Sequence, residues 1–372
     1  MGRADMPDKR VTVSSPLLAF VFVIIAGVSV WLAVRLNSSV WVWASIVSGV
    51  AAAVSVVIAL RQRQAQSAAV FSRAAWVRLV AFAVMGIVLA AAATGLWLAH
   101  GRAYALVHPG RGAIVHTPES LGIAGLEAVS FLSSDGLTLY GWYAPTRNGA
   151  TVILLHGHAG TRQGAVADAR LLAERGYGVL LFDLRNSGES DGTVTTFGLM
   201  EVNDVRGAVD FVLAQPGVDA DRIGLMGHSM GGATAIMATA RIPEIKAVVA
   251  QSAYTSIEDN IGNGVESLTR LPSFPFAPLV VFFGQQQAGV DITQVRPVDD
   301  IVTISPRPVL LVHGALDKTI PVANSYALFD AANEPKELYV IENAGHGMLP
   351  QTGGEEYVRR VVGFFDEYLM EP

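Results

Sequence analysis

Between Ala128 and Glu342, eight short aliphatic or β-branched runs recur, most of them separated by enough chain to hold a helix, and this alternation constrains the fold more than any other feature. The runs are AVSFLS from 128, LTLYGWYA from 137, TVILLHG from 151, GVLLFD from 178, RIGLMG from 222, KAVVAQS from 246, PVLLVHG from 308 and ELYVIE from 337. Such a rhythm predicts an α/β domain with a mostly parallel sheet flanked by helices. Ser134-Asp135-Gly136 between the first two runs predicts a hairpin, whereas the later connections are long enough for crossovers. Helices are expected over 163–175, 198–214, 231–241, 322–332 and 354–369. The rhythm breaks over 254–305, where SFPFAPLVVFF and GQQQAG intervene; a lid or substrate-binding insertion and an irregular connection without a special role both fit a segment of that kind.

The front of the chain is of another character. Hydrophobic residues make up 51% of the whole and mean hydropathy is +0.42, more than a water-bounded core absorbs. Pro16 to Val34, Leu36 to Leu60 and Leu79 to Gly101 carry no charge, and Trp41, Trp43 and Trp97 lie near their ends, where an interfacial belt would sit. A single run of this kind reads equally as a buried core helix, and the first alone as a cleaved signal peptide. Three in succession with charged punctuation predict three transmembrane helices over about 16–36, 40–60 and 77–99. The chain then divides into a membrane anchor over 1–101, a linker over 102–127 and a catalytic-type domain over 128–372.

Arg3, Lys9 and Arg10 precede the first span and Arg61, Arg63, Arg73 and Arg78 lie between the second and third, while the first turn holds only Arg35. Basic loops stay on the cytoplasmic side, so an odd number of spans predicts a multi-pass cell-membrane protein whose domain is extracytoplasmic. Residues 1–111 have ten basic and two acidic side chains, a net +8, and the remainder carries −14. A domain that acidic repels phosphate backbones, which argues against a nucleic-acid partner. Cysteine is absent, which excludes a thiolate nucleophile, a disulfide framework and Cys-ligated metal.

Gly227-His228-Ser229-Met230-Gly231 matches GxSxG, a sharp strand-to-helix turn that lifts a serine hydroxyl above the sheet edge. A second match, Gly188-Glu189-Ser190-Asp191-Gly192, makes context decide. Ser229 follows the apolar strand RIGLM and opens the helical GGATAIMATAR, whereas Ser190 sits in a loop before TVTTF with an acid on either side. Ser229 is therefore the candidate nucleophile. A serine hydroxyl needs a base that titrates near neutrality, and His346, in Asn343-Ala344-Gly345-His346-Gly347 beyond the last strand, is the candidate. Asp317, after the seventh strand, is the candidate carboxylate that orients the imidazole; Asp299, Asp300 and an ion pair of Asp317 with Lys318 are the alternatives. Negative charge on an acyl-transfer oxyanion calls for backbone N–H donors, assigned to Met230 and to His158 in the turn His156-Gly157-His158-Ala159-Gly160, with Ala159 in reserve. His156 and His158 lack a third ligand at matching spacing, so no metal is expected there.

HGHAG, DLRNSGESDG, GHSMGG, HGALDKTIP and AGHG occur in the order in which they stand in the α/β-hydrolase superfamily, and from about 128 to 369 the chain resembles it. SSDGLTLYGWYAP and DLRNSGESDG point, within it, to the branch of serine aminopeptidase-like, prolyl oligopeptidase-like and membrane-tethered depalmitoylase-like enzymes. The resemblance implies an eight-stranded sheet and an ester, thioester or amide hydrolase that needs no cofactor, with ester-type bonds expected ahead of peptides. It also implies that Asp183, Arg185 and Gly188 form a structural turn beside the site. The anchor and the phenylalanines of the insertion favour a lipidic or membrane-delivered acyl substrate. An acyltransferase or peptidase on the same residues, and a non-catalytic membrane receptor or scaffold, are the competing functions.

Overall fold

The computed structural model describes residues 73–269 and 272–370. The chain divides into two compact units, Met1–Gly101 and Arg102–Pro372. The described part of the first belongs to α1 (Arg73–Val107), an uninterrupted 35-residue helix. Within it Val80–Val107 is long and apolar enough to cross a bilayer, with a window of mean hydropathy 2.1 in which no residue is buried. Among the described residues it is the single helix of that kind, and it corresponds to the third expected span, over 77–99; the spans expected over 16–36 and 40–60 lie outside the described residues. The expected span ended at 99 and a linker began at 102. Instead the helix continues to Val107, because Gly101 alone does not break it and the following AYALV favours helix. Ala103 and Val107 are buried, and in 102–127 Leu121, Ile123 and Leu126 also enter the core, so much of the expected linker belongs to the domain.

The second unit is built on an eight-stranded sheet. Its strands are β1 (Glu127–Leu132), β2 (Thr138–Ala144), β3 (Thr151–Leu155), β4 (Gly178–Phe182), β5 (Ile223–His228), β6 (Ile245–Gln251), β7 (Val309–Gly314) and β8 (Lys336–Ile341). They lie in the order β1-β2-β4-β3-β5-β6-β7-β8, with β1–β2 and β2–β4 antiparallel and the other pairs parallel. Every residue of β3 and β4 is buried, as expected of central strands covered on both faces. The covering helices are α2 (Val166–Glu174), α3 (Glu201–Leu213), α4 (Met230–Arg241), α5 (Ile257–Thr269), α6 (Ser273–Ala288), α7 (Ala323–Ala331) and α8 (Leu349–Phe365). Trp142, Tyr177, Tyr357 and Phe365 are fully buried in the core, each contributing roughly 1.5–3 kcal/mol by leaving water.

Two segments differ from the sequence expectation. α8 starts at Leu349 rather than 354 and runs through Gly353-Gly354, where Gly354 adopts φ 56° and kinks it; a Gly pair reads as a boundary from sequence. The break over 254–305 begins with the packed helices α5 and α6, with Phe274 and Phe282 exposed. β3 and β5 are neighbours from which the chain winds outward in opposite directions, and the crevice at such a switch point is where an open α/β sheet binds ligands.

Candidate active site

Ser229 follows β5 at that switch point and adopts φ 57°, ψ −119°, a strained conformation for a residue with a side chain. The strain persists because the turn is over-determined. A Cβ on Gly227 would lie 2.1 Å from the Gly231 carbonyl oxygen, and one on Gly231 would lie 2.6 Å from the oxygens of both Leu155 and His156. The Ser229 N–H donates to the Gln251 carbonyl at 2.8 Å, tying the turn to β6. α4 opens immediately after Ser229, so its first N–H groups lack intrahelical acceptors and its positive dipole end faces the serine. The turn after β3 comes close as well: a Cβ on Gly157 would lie 3.2 Å from Ser229 Cβ.

Asp317 follows β7 and His346 follows β8, and the parallel strands bring both loops to the edge where Ser229 stands. His346 Nδ1–H donates to Asp317 Oδ2 at 2.7 Å, which leaves Nε2 to accept from Ser229 Oγ at 3.0 Å. The Oδ1 of Asp317 accepts from the N–H groups of Thr319 and Ile320 at 2.8 and 2.9 Å. Burial alone would raise the Asp317 pKa; hydrogen bonds from His313, His346 and the Ile320 N–H outweigh it and hold the carboxyl well below the usual range. Asp317 is thus a fixed anion, unable to donate, which sets the tautomer of His346.

Two histidines that sequence reasoning did not place at the site support this chain. His313, fully buried at the end of β7, donates from Nε2 to the Ile320 carbonyl at 2.8 Å and lies 3.3 Å from Asp317 Oδ2. Its Nδ1 meets Ser325 Oγ at 2.6 Å. His228 Nε2–H donates to the His346 carbonyl at 2.6 Å, with the two rings 4.9 Å apart, and burial lowers its pKa, so it stays neutral. Both were legible only as strand-end residues, because their partners come from loops elsewhere in the chain.

The remaining sequence candidates separate. Met230 heads α4 beside Ser229, and the His158 turn packs against the serine through Gly157. The His158 ring turns toward the end of α1 and donates from Nε2 to the Leu106 carbonyl at 2.7 Å, stacked on Phe197. His156 donates to the Gly157 carbonyl and accepts from Leu184 N–H, so the two rings serve different partners. Ser190 is buried and hydrogen-bonded to the Asp183 carbonyl and Tyr140 N–H. A Cβ on neighbouring Gly188, at φ 45°, would lie 2.1 Å from Asp183 Oδ2, so that GxSxG match serves a compact turn. Asp299 pairs with Arg296 and Asp300 with Arg241.

A cavity of about 400 Å³ contains Ser229 and His346, with Leu154, Leu155, Met226 and Leu349 among its apolar lining. Asp168 and Gln251 also line it. The sequence contains no signal for these two beyond a lone acid in the apolar run AVADARLLA and a polar residue at a strand end.

A sheet of this topology with serine, carboxylate and histidine following β5, β7 and β8 defines an α/β-hydrolase of the serine type. The prolyl oligopeptidase family matches residues 165–371, and the chain belongs to that family. It is similar to the uncharacterised YfhR of Escherichia coli O157:H7, 30% identical over 64% of this chain and 80% of the relative. It is also similar to the polyketide transferase ATR5 of Stachybotrys chlorohalonatus, 27% identical over 65% of this chain and 97% of that one. The solved esterase Pf2001 of Pyrococcus furiosus superposes with TM-score 0.61 at 27% identity, covering 71% of this chain and 98% of the esterase. The protein is therefore a hydrolase of the esterase and prolyl oligopeptidase type.

Proposed function

We propose that the protein is a membrane-anchored serine hydrolase that cleaves an ester, thioester or amide through an acyl-enzyme on Ser229. The hydrogen-bonded chain from Asp317 through His346 to Ser229 carries this reading. Ser229 Oγ attacks the substrate carbonyl carbon as His346 Nε2 takes its proton; the tetrahedral intermediate collapses, and His346 returns that proton to the departing oxygen, sulfur or nitrogen. Water then attacks the acyl-enzyme by the same proton route, releasing the acid and restoring Ser229. The N–H groups of Met230 and His158 are the proposed donors to the oxyanion, and loss of one such donor costs about 10²–10³ in kcat. Similarity to Pf2001 favours ester-type substrates over peptides.

The apolar Val80–Val107 helix supports a membrane anchor, and exposed Phe274 and Phe282 suit a lipidic acyl substrate. With the two further spans read from the sequence, the positive-inside count puts the domain outside the cytoplasm. A second reading, acyl transfer to an alcohol or amine in place of water, is favoured by the similarity to a polyketide transferase. Wild type and Ser229→Ala are to be assayed on p-nitrophenyl esters from acetate to dodecanoate, with and without an added alcohol. Hydrolysis that rises with acyl length and is lost in the variant is expected. A new ester product dominating over free acid makes the enzyme a transferase, and equal turnover by the variant refutes the assignment.

A further inference from the structure

The cavity beside Ser229 has one feature that acyl transfer does not use. Asp168, in the first turn of α2, is half-buried and lines the cavity together with Gln251. Its Oδ1 accepts from Tyr357 Oη of α8 at 2.5 Å, while the Gln251 side chain donates to the same tyrosine oxygen. Gln251 also accepts the Ser229 N–H through its carbonyl, so this polar wall is one residue removed from the nucleophile.

Burial pushes the Asp168 carboxyl up to about 6, and hydrogen bonds from Tyr357 and Gln251 hold it from going higher. No cationic neighbour among the described residues contributes. At neutral pH the cavity therefore presents an ionised carboxylate with no counter-charge, an arrangement that is costly when nothing pairs with it. Bracing α2 against α8 does not require a charge there, since a neutral amide oxygen can also accept from Tyr357. A carboxylate also offers about four acceptor sites, more than these two partners occupy. At about 400 Å³ the cavity suits a small ligand, apolar in its middle and anionic on one wall.

We propose that this cavity is a substrate subsite for a protonated amine, with Asp168 as its anchor. The substrate class is an ester or amide bearing a primary ammonium group a short alkyl chain away from the scissile carbonyl. The proposal rests on the hydrolase reading of Ser229.

The test uses the full-length protein in detergent at pH 7.5 and follows the rate at which a fluorescent fluorophosphonate labels Ser229. Protection by n-propyl- to n-hexylammonium chloride is compared with protection by the n-alkanol of equal chain length. At one length or more the ammonium ion is expected to protect about tenfold more tightly, as a charge-assisted hydrogen bond provides. Asp168→Asn should bring the ratio to about one, while Tyr357→Phe, which keeps the carboxyl group but removes a hydrogen bond that favours its anion, should leave the ratio above that of Asp168→Asn. An ammonium-to-alkanol ratio near one in the wild type at every length overturns the proposal, whether or not either variant folds. Absence of labelling without any ligand would instead sink the hydrolase reading on which it rests.

Discussion

At the scale of single residues, two carboxylates show how surroundings assign opposite behaviour to one functional group. Asp317 has a folded pKa below its unfolded value, so it contributes stability that is present above about pH 4 and is lost as pH falls through the depressed value. Asp317→Asn should lower kcat/KM by about 10³–10⁴ by disturbing the His346 tautomer. Its melting temperature should lie below that of the wild type at pH 7, with the gap beginning to narrow below about pH 4 and shrinking further toward pH 2; a gap that does not narrow between pH 4 and pH 2 would show that the hydrogen bonds to Asp317 do not stabilise its charge. Asp168 has the reverse sign. Its folded pKa of about 6 exceeds the unfolded value, so the wild type loses stability as pH rises from about 4 through 6. Allowing for its partial exposure to the cavity, Asp168→Asn should stabilise the protein by about 1–2 kcal/mol at pH 7.5 and by about half as much at pH 5, read from urea midpoints. Ser229, His346 and Asp317 were legible because each stands in a short motif whose neighbours supply its context. His228, His313 and Asp168 were not: His228 meets His346 at 118 residues' separation and Asp168 meets Tyr357 at 189, and sequence patterns do not carry such distances.

At the scale of elements, the inner strands were readable because burial on both faces makes each a short apolar run, and the observed bounds of all eight strands fall within a residue or two of the expectation at most ends. What resisted reading were elements defined by packing. Gly353-Gly354 hid the first turn of α8, and α1 passes through Gly101 because its following turn is buried in the domain. The insertion gave no clear period, since α6 holds Pro275 and Pro278 and a nearly continuous apolar run, yet it is helical. The nucleophile turn is the element with least tolerance. Gly231→Ala places a methyl 2.6 Å from two carbonyl oxygens, so the backbone of β3 or α4 must move. A loss of about 2–4 kcal/mol is expected, with esterase activity falling in step; a variant with wild-type melting temperature and rate would contradict this account of the turn.

At the scale of the whole molecule, the boundary of the catalytic unit lies at Arg102, inside a helix. The last turn of α1 is tied to the domain by Leu106 accepting from His158 and by Val107 accepting from Thr195 N–H and Asn186. A chain beginning at residue 102 should therefore stay soluble and hydrolyse short esters, whereas one beginning at 108 should melt lower and turn over more slowly, because the turn that carries His158 loses its acceptor. Equal behaviour of the two would assign that helical turn no part in the domain. The central claim, that His346 and Asp317 from two distant loops make Ser229 a nucleophile, is tested most directly by treating full-length wild type and Ser229→Ala with a fluorescent fluorophosphonate. The account predicts one labelled species in the wild type and none in the variant. Labelling that persists in Ser229→Ala, or its absence from folded wild type, would contradict it.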